Sequence, residues 1–227
     1  EEILLKHNPK YVFNLAAETH VDNSIINPST FVKTNILDTH TFFNTILKYF
    51  LNLSTKNARI FKLLHVSTDE VYGDISLDQN PVKEMTSYNP SSPYSASKAA
   101  ADHLIKAYYR TYGLPGLVSN CSNNYGPYQH NEKFIPVIIN KLLNGGRVPI
   151  YGDGNQIREW IYVDDHCKAL LLLMMHGKIG ESYNIGSGVE INNKNLIKII
   201  LDNLEKKLLV KKKNFNEHIN FVDDRLG

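Results

Sequence analysis

Cysteine is scarce in this chain of 227 residues: Cys121 and Cys167 are the two present, with no CxxC pair and no Cys/His ligand spacing. A disulfide scaffold and a structural zinc site are therefore not indicated, and a reducing cytoplasm is the compartment that fits. Long apolar runs are also lacking. The longest, Ala169–Met175, falls far short of the roughly 20 residues a membrane helix needs, and no signal peptide is visible. Neither charge sign dominates, with 25 Lys plus Arg against 23 Asp plus Glu and a formal net charge of +2. That balance gives no reason to expect a nucleic-acid or membrane-surface partner. The most basic stretch, Lys206-Lys207 and Lys211-Lys212-Lys213, is interrupted by Leu208, Leu209 and Val210 and reads as a solvated helix end and loop. His20, His65, His130 and His166 show no metal-ligand spacing, so no metal is expected. Internal repeats and coiled-coil heptads are absent, while 42% hydrophobic residues exclude disorder as the main state.

What is present reads as strand alternating with helix. Tyr11–Ala17 is a nearly continuous apolar run of the kind that forms a strand covered on both faces of a parallel sheet. Glu18–Asn23 reads as a loop, after which Asn27-Pro28 opens a helix to about Phe50. Ile60–Ser67 is a second buried strand, the stretch from Asp74 to Pro93 a long loop, Tyr94–Tyr112 a helix closed by Gly113, and Gly116–Asn120 a further strand. This pattern predicts an α/β fold: a doubly wound, Rossmann-like parallel sheet whose ligands bind beyond the carboxyl ends of its strands. From about Tyr125 the pattern changes to helices over Asn131–Leu143 and Asp164–His176, with short extended pieces around Pro149–Tyr151 and Tyr183–Ile185. The division expected is a sheet domain over 1–124 and a smaller substrate-binding region over 125–227, with interleaved boundaries.

Two motifs carry chemistry. Tyr94 and Lys98 lie four residues apart at a helix start, so both project from one face, and a neighbouring ammonium favours ionisation of a phenol. A surface Tyr resting on a Lys stem is the bland alternative. At the end of the second strand, Ser67-Thr68-Asp69-Glu70 places two adjacent carboxyl groups where one can be held as an acid and the other as a base, as an elimination of water requires. A solvated turn is the alternative there.

These motifs, with Leu15–Asp22, Asn120–Gln129 and Gly152–Asp165, resemble in order and spacing the dTDP-glucose 4,6-dehydratases of the extended short-chain dehydrogenase/reductase family. The resemblance covers nearly the whole chain. Tyr94-xxx-Lys98 matches the wider family, whereas Thr68-Asp69-Glu70 is narrower. It implies that Tyr94, with Lys98 and Thr68, takes the proton of the sugar 4-hydroxyl, that Glu70 removes the C5 proton and that Asp69 protonates the leaving 6-hydroxyl, with NAD as the cofactor. It further implies Leu15, Ala16, Ala17, Thr34, Tyr94, Lys98 and Asn124 at the NAD site. Thr19, Asn123, Lys133, Pro149, Ile150, Tyr151, Arg158, Asn193 and Arg225 would then face a dTDP-sugar, the arginines because guanidinium forks match phosphate oxygens. A homodimer through helices 27–50 and 94–112 is implied as well.

One family feature is missing: no GxxGxxG or GxGxxG occurs, although a Gly-rich turn at a helix N-terminus is what binds the cofactor pyrophosphate. Glu1-Glu2 and Asp224–Gly227 read as cut ends. The expectation is that roughly sixty further residues precede Glu1, two βα units of about 30 residues each, and that more follow Gly227. This chain alone is then expected to bind NAD poorly and to be inactive. Two other readings stay open: a UDP-sugar epimerase or decarboxylase of the same superfamily, which has no comparable need for Asp69 and Glu70, and a non-catalytic remnant serving as a binding or assembly module.

Overall fold

A computed structural model describes residues 1–75, 79–211 and 214–223. The chain divides into two units: Glu1–Cys121 with His166–Ile185, and Ser122–Asp165 with the described residues from Gly186 to Asp223. The interleaving is more pronounced than a single boundary near residue 124, because one helix and one strand of the later sequence return to the first unit.

The first unit is built on a four-stranded, all-parallel sheet in the order β1 (Tyr11–Asn14), β2 (Lys62–Thr68), β3 (Gly116–Cys121) and a strand from the returning segment, Ser182–Ile185. Register runs Phe13 with Leu64, Leu64 with Leu117, and Val118 with Ser182. Every residue of β3 is buried, as a strand covered on both faces must be. Phe43, Ile46, Phe61, Leu63, Ile105, Leu114 and Val118 form the core between sheet and helices. The observed parallel α/β architecture is the one anticipated from the sequence.

Local differences have local causes. β1 stops at Asn14 instead of Ala17, because Leu15 and Ala16 pass out of the sheet into solvent. The expected loop Glu18–Asn23 gives way to a short helix, Val21–Ile26, capped by the His20 ring accepting from Asn23 N. The expected helix from Asn27 begins with Pro28 at its first turn and reaches Leu51, but its middle, Val32–Asp38, is wound as a π-helix. The helix Pro93–Tyr112 opens on a reciprocal box in which Ser92 and Ser95 cap each other's backbone amides, and it closes at Gly113 with φ 70°.

The second unit contains a three-stranded sheet of Asn123–Tyr125, Ile157–Tyr162 and Glu190–Asn192, and a two-stranded parallel pair of Val148–Tyr151 with Ile219–Val222. Helices Phe134–Leu143 and Asn193–Lys206 pack with that pair around Ile138, Leu142, Ile150, Ile197 and Leu201. Of the second helix only the end at Lys206-Lys207 was anticipated; its polar Asn/Lys-rich start obscures an apolar stripe at Leu196, Ile197 and Leu201. Among the described residues, no helix is long and apolar enough to cross a membrane, and no cluster of His, Cys, Asp and Glu could hold a metal ion.

Candidate active site

The site lies in the first unit, beyond the carboxyl end of β2. Thr68 ends the strand in extended conformation, and the chain turns at once into a 3-10 helix, Asp69–Tyr72. The Thr68 hydroxyl caps that turn by accepting from Glu70 N at 3.2 Å, and it donates to Asp69 Oδ1 at 3.3 Å. The Tyr94 phenol faces the same hydroxyl. Thr68 thus stands between the phenol and the two-carboxylate turn. Gly73 ends the turn at φ 78°, where a side chain would strike the Asn89 carbonyl, so a residue with a Cβ does not fit.

Tyr94 is in the first turn of its helix and 8% exposed; Lys98, one turn on, is 4% exposed. The pair is therefore buried, which excludes a surface phenol resting on a lysine stem. Burial is the largest influence on the phenol and opposes its ionisation; the Glu70 charge opposes it further, and the Thr68 hydrogen bond works the other way. This corrects the expectation that the lysine would govern Tyr94, because loss of hydration outweighs a neighbouring cation when the phenol is enclosed. Lys98 Nζ donates to Val66 O at 2.8 Å, and its pKa is lowered by burial, with the Asp102 charge working against that.

A π-helical residue buttresses the helix start. Asn35, 1% exposed, donates to Ser97 Oγ at 2.9 Å, and Ser97 Oγ donates to Tyr94 O at 2.7 Å. Phe31 packs edge-on against the Tyr94 ring, at 6.3 Å between centroids. The π-winding brings Asn35 inward while Thr34 stays half-buried beside it. Such winding is rare and concentrates at functional sites. Nothing in the periodicity of the sequence marks it.

Behind the site lies a polar network that the sequence did not suggest. Asp102 is fully buried, and its Oδ2 accepts from Ser67 Oγ at 2.9 Å, Tyr88 OH at 3.1 Å and Asn120 Nδ2 at 3.1 Å. Burial raises its pKa to about 6, against the opposing effects of Lys98 and these three donors. On its other side His65 presents Nε2 to Asp102 Oδ1 at 3.5 Å, while Asn14 Nδ2 donates to His65 Nδ1 at 3.1 Å. Burial first, then the Lys98 charge, pushes the His65 pKa well down, so the ring is neutral.

The remaining expected residues divide between the two units. Leu15, Ala16 and Thr19 are exposed after β1, and Ala17 is half-buried. Leu15–Ala17 place no polar bulk beyond the strand end, and the buried Tyr94–Lys98 pair and the Thr68 hydroxyl supply hydrogen-bonding groups in the same unit. This set fits the nicotinamide-ribose half of the cofactor named above. In the second unit, Asn123 and Asn124 form a short strand, Asn124 accepting from Gln129 Nε2 at 2.8 Å through its carbonyl. Lys133 precedes the helix Phe134–Leu143, Arg158 is exposed on Ile157–Tyr162, and Asn193 starts its helix beside Gln156. The alternation of Val148–Tyr151 turns the Ile150 side chain into the core, 1% exposed, and leaves Pro149 and Tyr151 on the other face. Ile150 therefore offers no accessible side chain as a substrate wall. Arg225 lies outside the described residues.

The model of the family "GDP-mannose 4,6 dehydratase" matches residues 1–225. The chain is 46% identical over 233 residues to dTDP-glucose 4,6-dehydratase 1 of Escherichia coli K12, covering 99% of this chain and 64% of the relative. It is 47% identical over 231 residues to the dTDP-glucose 4,6-dehydratase of Haemophilus influenzae, covering 100% of this chain and 68% of that one. Among solved structures, DesIV of Streptomyces venezuelae, a dTDP-glucose 4,6-dehydratase crystallised with NAD and TYD bound, superposes with a TM-score of 0.86 at 40% identity, covering 99% of this chain and 65% of DesIV. The chain thus spans a little under two thirds of the length of the first and last of these.

Proposed function

The chain belongs to the family of the GDP-mannose 4,6 dehydratase model, with dTDP-glucose 4,6-dehydratases among its relatives, and from that premise we propose that the full-length protein dehydrates dTDP-glucose to dTDP-4-keto-6-deoxyglucose. The observation that carries this reading is the junction at Thr68: one hydroxyl bonded to an Asp69 carboxylate oxygen and to the amide of Glu70, with the buried Tyr94 phenol facing it. An epimerase needs the phenol but no acid and base beside it.

NAD, when bound beside Tyr94 and Lys98, would supply a reversible hydride acceptor, so that the conversion would involve no net oxidation. The residues of this chain handle the protons. Tyr94 accepts the 4-hydroxyl proton, with Lys98 and Thr68 orienting it. The 4-ketone so formed acidifies C5, whose proton Glu70 removes, and Asp69 protonates the 6-hydroxyl as it leaves as water. Leu15, Ala16, Ala17, Thr34 and Asn124, with Tyr94 and Lys98, are proposed to hold the cofactor. Thr19, Asn123, Lys133, Pro149, Tyr151, Arg158, Asn193 and Arg225 are proposed to contact the nucleotide sugar. The protein is proposed to work in the cytoplasm as a homodimer through the helices of 27–50 and 94–112; exposed Leu37, Tyr109 and Tyr112 support that pairing.

The test is incubation of the full-length protein with dTDP-glucose and NAD in deuterated water. A 4-keto-6-deoxy product bearing deuterium at C5 is expected. Inversion at C4 without loss of water would support an epimerase instead, and absence of NAD binding would favour a non-catalytic module.

A further inference from the structure

The 3-10 turn that carries Asp69 and Glu70 ends on Tyr72, which is buried at 4% exposure. Its hydroxyl donates to Asn184 Oδ1 at 2.8 Å, which fastens the turn to the fourth strand of the sheet, Ser182–Ile185. The same Asn184 holds the segment 82–89: its backbone amide donates to Glu84 Oε1 at 3.0 Å and its side-chain amide to Val82 O at 3.4 Å. That segment in turn grips the 3-10 turn. Asn89 N donates to Val71 O at 3.0 Å, and the Tyr88 ring stands edge-on to the Tyr72 ring, 5.2 Å between centroids. Val71, Tyr72 and Ala99 form a small apolar cluster with Val82 and Tyr88 packed against it. Tyr88 OH also donates to the buried Asp102 Oδ2 at 3.1 Å, which ties the segment to the helix Pro93–Tyr112. The contacts close a ring that runs from the turn through Asn184, Glu84 and Tyr88 and back to the turn.

The residues proposed for oxidation at C4 are held by a different set of bonds. Lys98 Nζ donates to Val66 O at 2.8 Å, and the Tyr94 carbonyl accepts from Ser97 Oγ, which itself accepts from Asn35. None of these three bonds involves Asn184 or the segment 82–89. The phenol and the carboxyl pair therefore have separate supports. The support of the pair is also the more exposed one: in the segment 82–89 Val82 and Tyr88 are half-buried and the other six residues are exposed. Segments with few buried contacts open locally at low cost, so the setting of the turn depends on individual bonds. A misplacement of about 1 Å can lower a rate by about 10².

We propose that Tyr72 is a positioning residue for the elimination of water: its bond to Asn184 holds the turn so that Asp69 and Glu70 stay set for proton transfer, while oxidation at C4 does not depend on it. The catalytic consequence rests on the dehydratase reading; the anchoring of the turn does not.

Tyr72→Phe removes the hydroxyl and keeps the ring against Tyr88. Amide exchange of the full-length protein, followed by NMR, reads the turn directly, since Gly73 N donates to Glu70 O at 3.2 Å and Glu70 N to Thr68 Oγ1. In the variant both amides are expected to exchange about 3- to 10-fold faster, with Leu64 and Val118 in the core strands unchanged. With dTDP-glucose, single-turnover reduction of bound NAD is expected to stay within about twofold of wild type, while exchange of the C5 proton with solvent falls about 10- to 100-fold and KM is unchanged. Reduced cofactor then accumulates. A role in overall stability alone would instead speed exchange at Leu64 and Val118 and slow both chemical steps together. Turn amides that exchange as in wild type, or oxidation at C4 that falls as far as C5 exchange, overturn the proposal. If Tyr72→Phe does not fold, Glu84→Ala serves, because it frees the Asn184 amide from an exposed position. The same selective loss at C5 is expected there, about 2- to 5-fold, and a variant without it also overturns the proposal. Failure of the dehydratase reading is seen separately, as wild type that makes no 4-keto-6-deoxy product while the turn amides respond as stated.

Discussion

Asn35 and Glu18 form a reciprocal pair: Glu18 N donates to Asn35 Oδ1 at 2.9 Å, and Asn35 Nδ2 donates back to Glu18 O at 3.0 Å. The side-chain amide thereby acts as a strand would for the segment that leaves β1, and its second N–H reaches Ser97 at the start of the Tyr94 helix. One residue in a π-wound turn holds both the Leu15–Thr19 segment and the base of the phenol.

Asn35→Ala should therefore loosen two places at once. Leaving the Glu18 amide and carbonyl unpartnered costs about 1–3 kcal/mol, read as a lower urea midpoint. Affinity of the full-length protein for NAD should weaken more than affinity for the nucleotide sugar, as measured by calorimetry. Equal loss of both would show that the effect is global unfolding.

Glu70→Gln keeps the size of the side chain and the cap that Thr68 makes to its backbone. Exchange of the C5 proton with solvent should fall about 10²- to 10⁴-fold while NAD binding persists. Unchanged dehydration would remove Glu70 from the reaction.

Tyr94→Phe deletes the phenol hydroxyl that faces Thr68. Oxidation at C4 should fall about 10²- to 10⁴-fold, seen as lost reduction of bound NAD in single-turnover absorbance, with the protein as stable as wild type or nearly so. Oxidation at the wild-type rate would show that another group takes the 4-hydroxyl proton.

His65 and Asp102 give the stability a pH dependence with opposed signs. His65 has a folded-state pKa depressed below 6.5, so its contribution is full above pH 6.5 and is lost as pH falls towards the folded value. Asp102 has a folded-state pKa raised to about 6, so its contribution is full below pH 3.8 and is lost as pH rises through about 6. His65→Leu, which leaves the Asn14 amide without its acceptor, should cost about 1–3 kcal/mol at pH 7.5, and the gap from wild type should narrow as pH falls below 6.5. Urea midpoints between pH 5 and 7.5 measure this; a gap that widens on acidification contradicts a neutral buried ring.

The elements that position the site were legible where burial and backbone chemistry are written into neighbouring residues. The apolar runs Tyr11–Ala17 and Ile60–Ser67 marked the first two strands, the first running three residues too far, and the long helix read over Tyr94–Tyr112 was closed by Gly113 and starts one residue earlier, at Pro93. Thr68, Asp69, Glu70, Tyr94 and Lys98 could be proposed from the sequence because their spacing is local. Asn35, His65 and Asp102 were not, since each acts through partners 14 to 62 positions away, Tyr88 on Asp102 being the nearest and Ser97 on Asn35 the farthest. A polar residue that is buried looks in sequence like one that faces water. Asp102 could have been suspected from its place four residues after Lys98, on the same face of the helix.

The most direct measurement follows a label from one sugar carbon to another. The full-length protein, given NAD and dTDP-glucose deuterated at C4, should deliver that deuterium within the same molecule to the C6 methyl of a 4-keto-6-deoxy product. Deuterium that stays at C4, or a methyl group that carries none, would contradict the account.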